Sequence, residues 1–232
     1  MRSHLLIAAS TLVAAVTFHA TGPQTSSVRH IRPDSARFVK VLNGQTKVVD
    51  YRGRRAVKLV PNPETAGKDE SVMAILAEPP FANGTIEVDV AGAPRPDAPA
   101  DSRGFIGIAF RTGERGEWSE IFYLRPTNGR SDDQLRRNHS VQYVSHPDFP
   151  WSRLRQESPG VYEAYADLEP RVWTAMKIVV SGTTARLYVN GAQQPCLVVN
   201  DLKRGDVAGR FAFWAHVETD AYFGAVTITR RD

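Results

Sequence analysis

The stretch WTAMKIVVSGTTARLYVNG (173–191) decides the fold class of this chain. Apolar and polar residues alternate on both sides of Ser181-Gly182-Thr183, so the pattern predicts a strand before this turn and another after it. Asn190-Gly191 is a second turn signal, because both residue types tolerate the positive φ angles of tight hairpin turns. The stretch therefore predicts an antiparallel hairpin that turns again after its second strand.

Segments of the same kind occur along most of the chain. About a dozen short runs rich in Val, Ile, Phe and Tyr are separated by turn residues, and no run has a convincing amphipathic helical pattern, so a single all-β domain is predicted. A long Pro/Ala/Gly loop, AGAPRPDAPADSRG (91–104), interrupts the strands and is expected at a rim. The region 126–171 is the least regular. The clearest runs are TIEVDV (85–90), GFIGIAFR (104–111), SEIFYLR (119–125), SVQYVS (140–145) and GRFAFWAH (209–216).

The N-terminal residues have the layout of a secretory signal peptide. A short polar start precedes an apolar run from Leu5 to Val16, and small and polar residues follow. We therefore expect a signal peptide at 1–20, a loose N-terminal segment at 21–37 and a single β-sandwich domain at 38–232. The mature protein is expected to be secreted or periplasmic, without stable membrane insertion. If the leader is not cleaved, it would anchor the protein to a membrane.

Charge and cysteine content narrow the classes of partner. The formal net charge is +4, and between Lys68 and Lys177 there are many arginines and no lysine. Arginine grips carboxylates and stacks on flat rings, which suits an anionic ligand, although codon bias would give the same pattern. The basic residues form no dense cluster and alternate with acids, so nucleic acid is not an expected partner. Cys196 has no second cysteine to pair with and is interpreted as an inert thiol in a strand.

The order of four motifs resembles the concanavalin A-like lectin/glucanase superfamily. Within it, the motifs are most similar to the laminin-G-like and keto-disaccharide-hydrolase-like domains of exported bacterial proteins. The resemblance extends from Phe38 to Thr229 and implies a jelly-roll β-sandwich of two antiparallel sheets. It also implies a poly- or oligosaccharide as ligand, bound in a groove on the concave face of one sheet. The motifs are FANGTIEVDV (81–90), GFIGIAFR (104–111), the stretch 173–191, and GRFAFWAHVETDAYFGAVTIT (209–229).

Candidate ligand-binding residues concentrate in RRNHSVQYVSHPDFPW (136–151) and its neighbours. Strand alternation places Gln142 and His146 on one face of SVQYVS. Amide and imidazole groups suit sugar hydroxyls, arginine suits a carboxylate, and aromatic rings suit the face of a sugar. Alternatively, these side chains bond to one another and fix an ordered loop. The candidates are Arg125, Arg136, Asn138, His139, Gln142, His146, Trp151, Tyr162 and Trp214.

Whether the protein is an enzyme stays open at this level, because the fold implied by the resemblance hosts lectins, hydrolases, lyases and adhesion modules. Strands of family-16 glucanases carry three alternating acids, but here Ala91 follows Glu87 and Asp89, which argues against hydrolysis at that strand. The alternatives to a lectin-like binder are a glycoside hydrolase of the keto-disaccharide type or a polysaccharide lyase in the same groove, and a structural adhesion module. The candidate catalytic residues are His146, Glu87 and Glu157, with Glu163 as a further carboxylate. His146 is included because Gln142 and His146 loosely resemble the Q-I-H strand of jelly-roll lyases, although their spacing is two residues longer.

The sequence predicts no required cofactor. Cysteine and histidine are not clustered as a zinc site would need. Glu218 and Asp220 lie in a predicted turn, where they could join backbone oxygens in a Ca²⁺ site.

Overall fold

The computed structural model describes residues 26–65 and 67–231, and two antiparallel β-sheets make up most of it. The predicted signal peptide at 1–20 lies outside the described residues. The eight-stranded sheet contains β1 (Ser26–Ile31), β3 (Gly44–Tyr51), β4 (Arg54–Pro61), β6 (Gly84–Pro94), β11 (Thr174–Ser181), β12 (Thr184–Val189), β13 (Leu197–Val199) and β15 (Thr219–Arg231). The seven-stranded sheet contains β2 (Phe38–Leu42), β5 (Ser71–Leu76), β7 (Ile106–Thr112), β8 (Ser119–Leu124), β9 (Val141–His146), β10 (Glu163–Ala164) and β14 (Arg210–His216).

Short helical turns fill part of the connections. The α-helices are α1 (Gln134–Asn138) and α2 (Trp151–Glu157), and 3₁₀ turns occur at Pro33–Ser35, Pro63–Thr65 and Pro126–Asn128. No helix among the described residues has the length and apolar character needed to span a membrane. Both α-helices fall in the irregular region 126–171, where the sequence predicted little regular structure.

The strand order is that of a jelly-roll sandwich. The seven-stranded sheet runs β10-β9-β8-β7-β14-β5-β2, and the other runs β13-β12-β11-β6-β15-β4-β3 with β1 beside β15. The predicted hairpin at 173–191 is confirmed, because β11 pairs with β12 from Met176–Val189 to Ser181–Thr184. Gly182, Asn190 and Gly191 adopt positive φ angles, as the turn signals required.

The core lies between the sheets and identifies the inner face of each strand. Phe213 of β14 stacks on Phe223 of β15, in the opposite sheet, with ring centroids 4.4 Å apart. The cross-strand neighbours of Phe213 are Ile108, then Phe122, then Tyr143, so these side chains also face inward. The next residue along each strand faces the outside of the sandwich. The alternation predicted for SVQYVS therefore puts Gln142 and His146 on the outer face.

The N-terminal segment differs from the expectation of a loose segment at 21–37. Residues 26–31 form β1, which pairs with Val226–Arg231 of β15. The reason is that β15 is long and pairs with β4 over Ala221–Phe223, which leaves its other end free on that side. Ile31, 5% exposed, fixes the end of the added strand in the core.

Candidate functional site

A row of cross-strand neighbours crosses the outer face of the seven-stranded sheet. The row runs Glu163, Gln142, Tyr123, Gly107 and Trp214, one residue from each of five adjacent strands. Gly107 lacks a side chain, and a Cβ atom there would lie 2.7 Å from the Cβ of Tyr123. The rings of Tyr123 and Trp214 can therefore close over it, with centroids 5.0 Å apart. The result is a flat base of aromatic and polar groups.

A groove with a volume of about 680 Å³ opens at this end of the face. Its walls come from segments that are far apart in sequence: the loop before β7, the end of β8, the two short helices and the end of β14. The irregular region 126–171 thus supplies much of the rim, as its composition suggested. The residues that line it include Arg103, Phe105, Arg125, Arg136, His139, Trp151, Arg155 and His216.

Arg125 connects the base of the groove to its wall. It is 5% exposed, and its Nη2 donates to Tyr123 Oη and to Gln142 Oε1, both at 3.0 Å. Its Nη1 donates to the backbone oxygen of His139 at 2.9 Å. The guanidinium also lies over the rings of Phe105 and Tyr123, at 5.5 and 5.1 Å from their centroids. These contacts hold the Arg125 side chain in one orientation.

Both the oxygen and the nitrogen of the Gln142 carboxamide are hydrogen-bonded to other groups of the protein. Its oxygen accepts from Arg125, and its Nε2 donates to the backbone oxygens of Tyr143 and Tyr162, at 2.9 and 3.0 Å. It is 1% exposed. Gln142 therefore orients Arg125 from below and does not reach the open groove.

Glu163 is a buried carboxylate in contact with three basic side chains. Arg155 binds it as a fork, Nε to Oε1 at 3.0 Å and Nη2 to Oε2 at 2.7 Å. Arg125 Nη1 lies 3.8 Å from Oε2, and His139 Nε2 lies 3.1 Å from Oε1. Burial lowers the pKa of His139 and outweighs the opposing effect of the Glu163 carboxylate.

Four of the predicted ligand-binding residues line the groove, and two more lie beneath it. Arg125, Arg136, His139 and Trp151 are at its surface. The indole of Trp214, 5% exposed, packs under the groove beside Tyr123, as does the side chain of Gln142.

Three predicted ligand-binding residues lie elsewhere. The hydroxyl of Tyr162 donates a hydrogen bond to Asp201 Oδ2 at 2.6 Å, and its ring packs on the inward-facing Tyr143. Asn138 is an exposed residue at the end of α1 whose Oδ1 accepts from the Gln134 amide. His146 is on the outer face opposite Ser119, further along β9 than the groove lining. We leave these three out of the proposed site.

The carboxylates proposed for catalysis are separated from the groove. Glu87 is an exposed residue of β6, in the other sheet, opposite Lys177 of β11. Glu157 is exposed at the end of α2 and pairs with Arg153 at 2.7 Å. Glu163, the further carboxylate candidate, is buried beneath the groove, where it binds Arg155.

Sequence reasoning missed several groove residues. Arg103 and Phe105 follow the long Pro/Ala/Gly loop, whose length was the available signal for a rim. Arg155 lies one helical turn after Trp151, and a short α2 was not predicted. His216 shares a strand face with Trp214 by simple alternation, which was visible in the sequence.

The predicted calcium residues have separate partners. Asp220 pairs with Lys58 at 2.8 Å, and Glu218 lies beside His216. No group of three or more His, Cys, Asp or Glu side chains within residues 26–65 and 67–231 is arranged to hold a metal ion. A calcium ion stays a prediction.

Comparisons with known proteins identify the fold. No protein-family model and no curated protein matches the chain. Among solved structures, the Ca²⁺-bound exoplasmic/lumenal domain of VIP36 superposes with a TM-score of 0.55 at 10% identity, over 85% of this chain and 88% of that one. The carbohydrate-binding module CBM66 from Bacillus subtilis superposes with a TM-score of 0.53 at 12% identity, over 80% of this chain and 91% of that one.

A third similar structure is a Bacillus subtilis protein of unknown function with a galectin-like fold. Its TM-score is 0.51 at 13% identity, over 83% of this chain and 88% of that one. The predicted concanavalin A-like jelly-roll β-sandwich is thus confirmed. Identities this low show the fold and leave the activity to be argued from the site.

Proposed function

We propose that this protein is an exported, lectin-like module that binds a poly- or oligosaccharide in the groove of its seven-stranded sheet. The observation that carries the proposal is the groove itself: guanidinium and imidazole donors and an exposed indole surround a base fixed by hydrogen bonds. The similarity of its fold to a carbohydrate-binding module and to a protein with a galectin-like fold supports this choice of ligand. Export through the leader predicted at 1–20 would bring the groove to saccharides outside the cytoplasm.

Trp151 supplies the apolar surface that a sugar ring needs. It begins α2, which Leu154, 2% exposed, anchors to the body of the protein. The indole is 43% exposed, and the guanidinium of Arg155 lies 4.8 Å from its centroid. An aromatic face held in this way can stack on the C–H face of a pyranose, while neighbouring donors bind its hydroxyls.

The test is a glycan array followed by calorimetric titration of the best saccharide. Trp151→Ala should weaken binding at least about tenfold, since the stacking surface is lost. Tyr165→Ala is the matched control, because Tyr165 is 42% exposed and lies outside the groove lining. If the wild-type protein binds no saccharide on the array, the carbohydrate proposal fails and the adhesion module takes its place.

A polysaccharide lyase is the second candidate, favoured by one observation. Arg125 hydrogen-bonds to Tyr123, to Gln142 and to the backbone of His139, and jelly-roll lyases resemble this in using Arg, Gln, His and Tyr together. Tyr123, however, is 3% exposed, and burial raises the pKa of its hydroxyl. These groups are therefore better suited to forming the rigid floor of the groove than to transferring a proton to or from a substrate.

The lyase candidate has a direct test. Uronate polysaccharides would be incubated with the protein, and the ultraviolet absorbance of unsaturated products would be followed. Activity that disappears in Tyr123→Phe would make the protein a lyase. Absence of product on substrates that the groove binds would leave the lectin-like binder.

A further inference from the structure

Two guanidinium groups in the groove have neutral partners. Arg136 Nε donates to Asn128 Oδ1 at 3.0 Å, and its Nη2 donates to Thr127 Oγ1 at 3.1 Å. Arg103 Nη1 donates to the backbone oxygen of Asp101. Among the residues that the structure describes, neither side chain forms an ion pair, although both are partly buried and line the groove.

Three arginines of the same region, Arg125, Arg130 and Arg155, do have carboxylate partners. Arg155 shares the Glu163 carboxylate with Arg125, and Arg130 pairs with both Asp167 and Glu169, at 2.8 and 2.6 Å. Charged groups that are fully buried in proteins usually have such a partner, and partial burial removes part of the hydration that would replace it. Arg103 and Arg136 are thus charged groups for which the described part of the chain supplies no ion pair.

Within the described residues, the acids that line the groove form no ion pair with Arg103 or Arg136. Asp133 caps α1 by accepting from the backbone N–H of Arg136 at 3.1 Å, and Asp69 lies 3.3 Å from His216. Asp101 is exposed and meets Arg103 through its backbone oxygen. Burial lowers the pKa of Arg103 and the charge of Arg136 lowers it further, while the nearby Asp101 carboxylate opposes this with a smaller effect and Arg125 adds to the lowering. An external anion would relieve this repulsion.

We propose that Arg103 and Arg136 form an anion subsite of the groove, and that the saccharide bound there carries a carboxylate or a sulfate group. The inference rests on the proposed function, because it specifies the ligand of the same groove. A guanidinium presents parallel N–H donors that match the oxygens of either anion. Arg136 is already oriented by Thr127 and Asn128, so its orientation costs little on binding.

The experiment measures binding to two pairs of probes that differ in charge. The pairs are polygalacturonate with its carboxyl-reduced form, and dextran sulfate with dextran. The wild-type protein should bind at least one acidic member tenfold or more tightly than its neutral counterpart. The double variant Arg103→Gln/Arg136→Gln should lose about tenfold or more of that affinity and much of its dependence on salt. Which pair shows the effect distinguishes carboxylate from sulfate.

Two controls separate the subsite from general electrostatic attraction and from misfolding. Arg186→Gln removes the same charge from β12, in the other sheet, and should leave the preference for acidic probes intact. The urea midpoint of the double variant should match that of the wild type. The inference is overturned if Arg186→Gln loses as much affinity for the acidic probes as the double variant does, or if the wild-type protein binds both members of each pair equally well. In the latter case the proposed function survives, whereas no binding to any saccharide removes both.

Discussion

Glu163 is the residue on which the groove base depends most. Its carboxylate, 7% exposed, pairs with Arg155 and lies 3.8 Å from the buried Arg125 and 3.1 Å from His139. Removal of a buried ion-pair partner leaves an uncompensated charge, so we expect Glu163→Ala to lower the free energy of unfolding by about 3 kcal/mol. Urea denaturation followed by tryptophan fluorescence measures this change.

The control for this prediction lies nearby in the same segment. Glu157 pairs with Arg153 at the protein surface, where ion pairs contribute little. Glu157→Ala should change the free energy of unfolding by no more than about 0.5 kcal/mol. Equal losses in the two variants would mean that the Glu163 cluster is not a stabilising unit.

Cys196 gives a second prediction at the scale of one residue. Its Sγ donates to the backbone oxygen of Leu187, and burial raises the pKa of the thiol to about 11. Because the thiolate is the reactive species, alkylation by iodoacetamide at pH 8 should be at least about a hundredfold slower than that of free cysteine. The same protein in urea should react at the ordinary rate. Rapid reaction of the folded protein would contradict the inert-thiol interpretation.

At the scale of the element, the question is which interactions keep the edge strand β1 paired with β15. Most of its side chains are exposed, and Ile31 at its end is buried. Ile31→Ala should cost about 2–3 kcal/mol of unfolding free energy, because it leaves a cavity at the edge of the core. Val28→Ala, at a side chain 55% exposed in the same strand, should cost under about 0.5 kcal/mol. Thermal unfolding of the two variants distinguishes a core anchor from a strand held by backbone hydrogen bonds alone.

The strands themselves were predictable because their information is local. Alternation placed Gln142 and His146 on one face, and Asn190-Gly191 marked a turn that the structure contains. The groove was only partly predictable, since it joins residues through strand register. Nothing local to Trp151 indicates that Arg103 lies in the same groove, or that Glu163 will pair with Gln142. Register follows from the packing of the whole sheet, which a single sequence does not reveal.

At the scale of the whole molecule, two partly buried histidines, His139 and His146, make stability depend on pH. Burial lowers the pKa of His139 and of His146 below the value of about 6.5 that they have in an unfolded chain. Between the folded and the unfolded pKa, the unfolded chain therefore binds more protons than the folded one. The free energy of unfolding should be highest above pH 6.5 and should fall as the pH drops below it.

Urea denaturation at pH 7.5 and pH 5.5 measures this dependence while most carboxylates stay ionised. His146→Gln removes one of the two groups and should make the fall in stability smaller, because one proton fewer is taken up preferentially by the unfolded chain. Val28→Ala is the control, since Val28 is exposed on β1 and its substitution removes no titratable group. Equal stability of the wild-type protein at the two pH values would contradict the prediction, because His139 and His146 would then titrate in the folded protein as they do in the unfolded chain. For His146, this would mean that water reaches the outer face of β9.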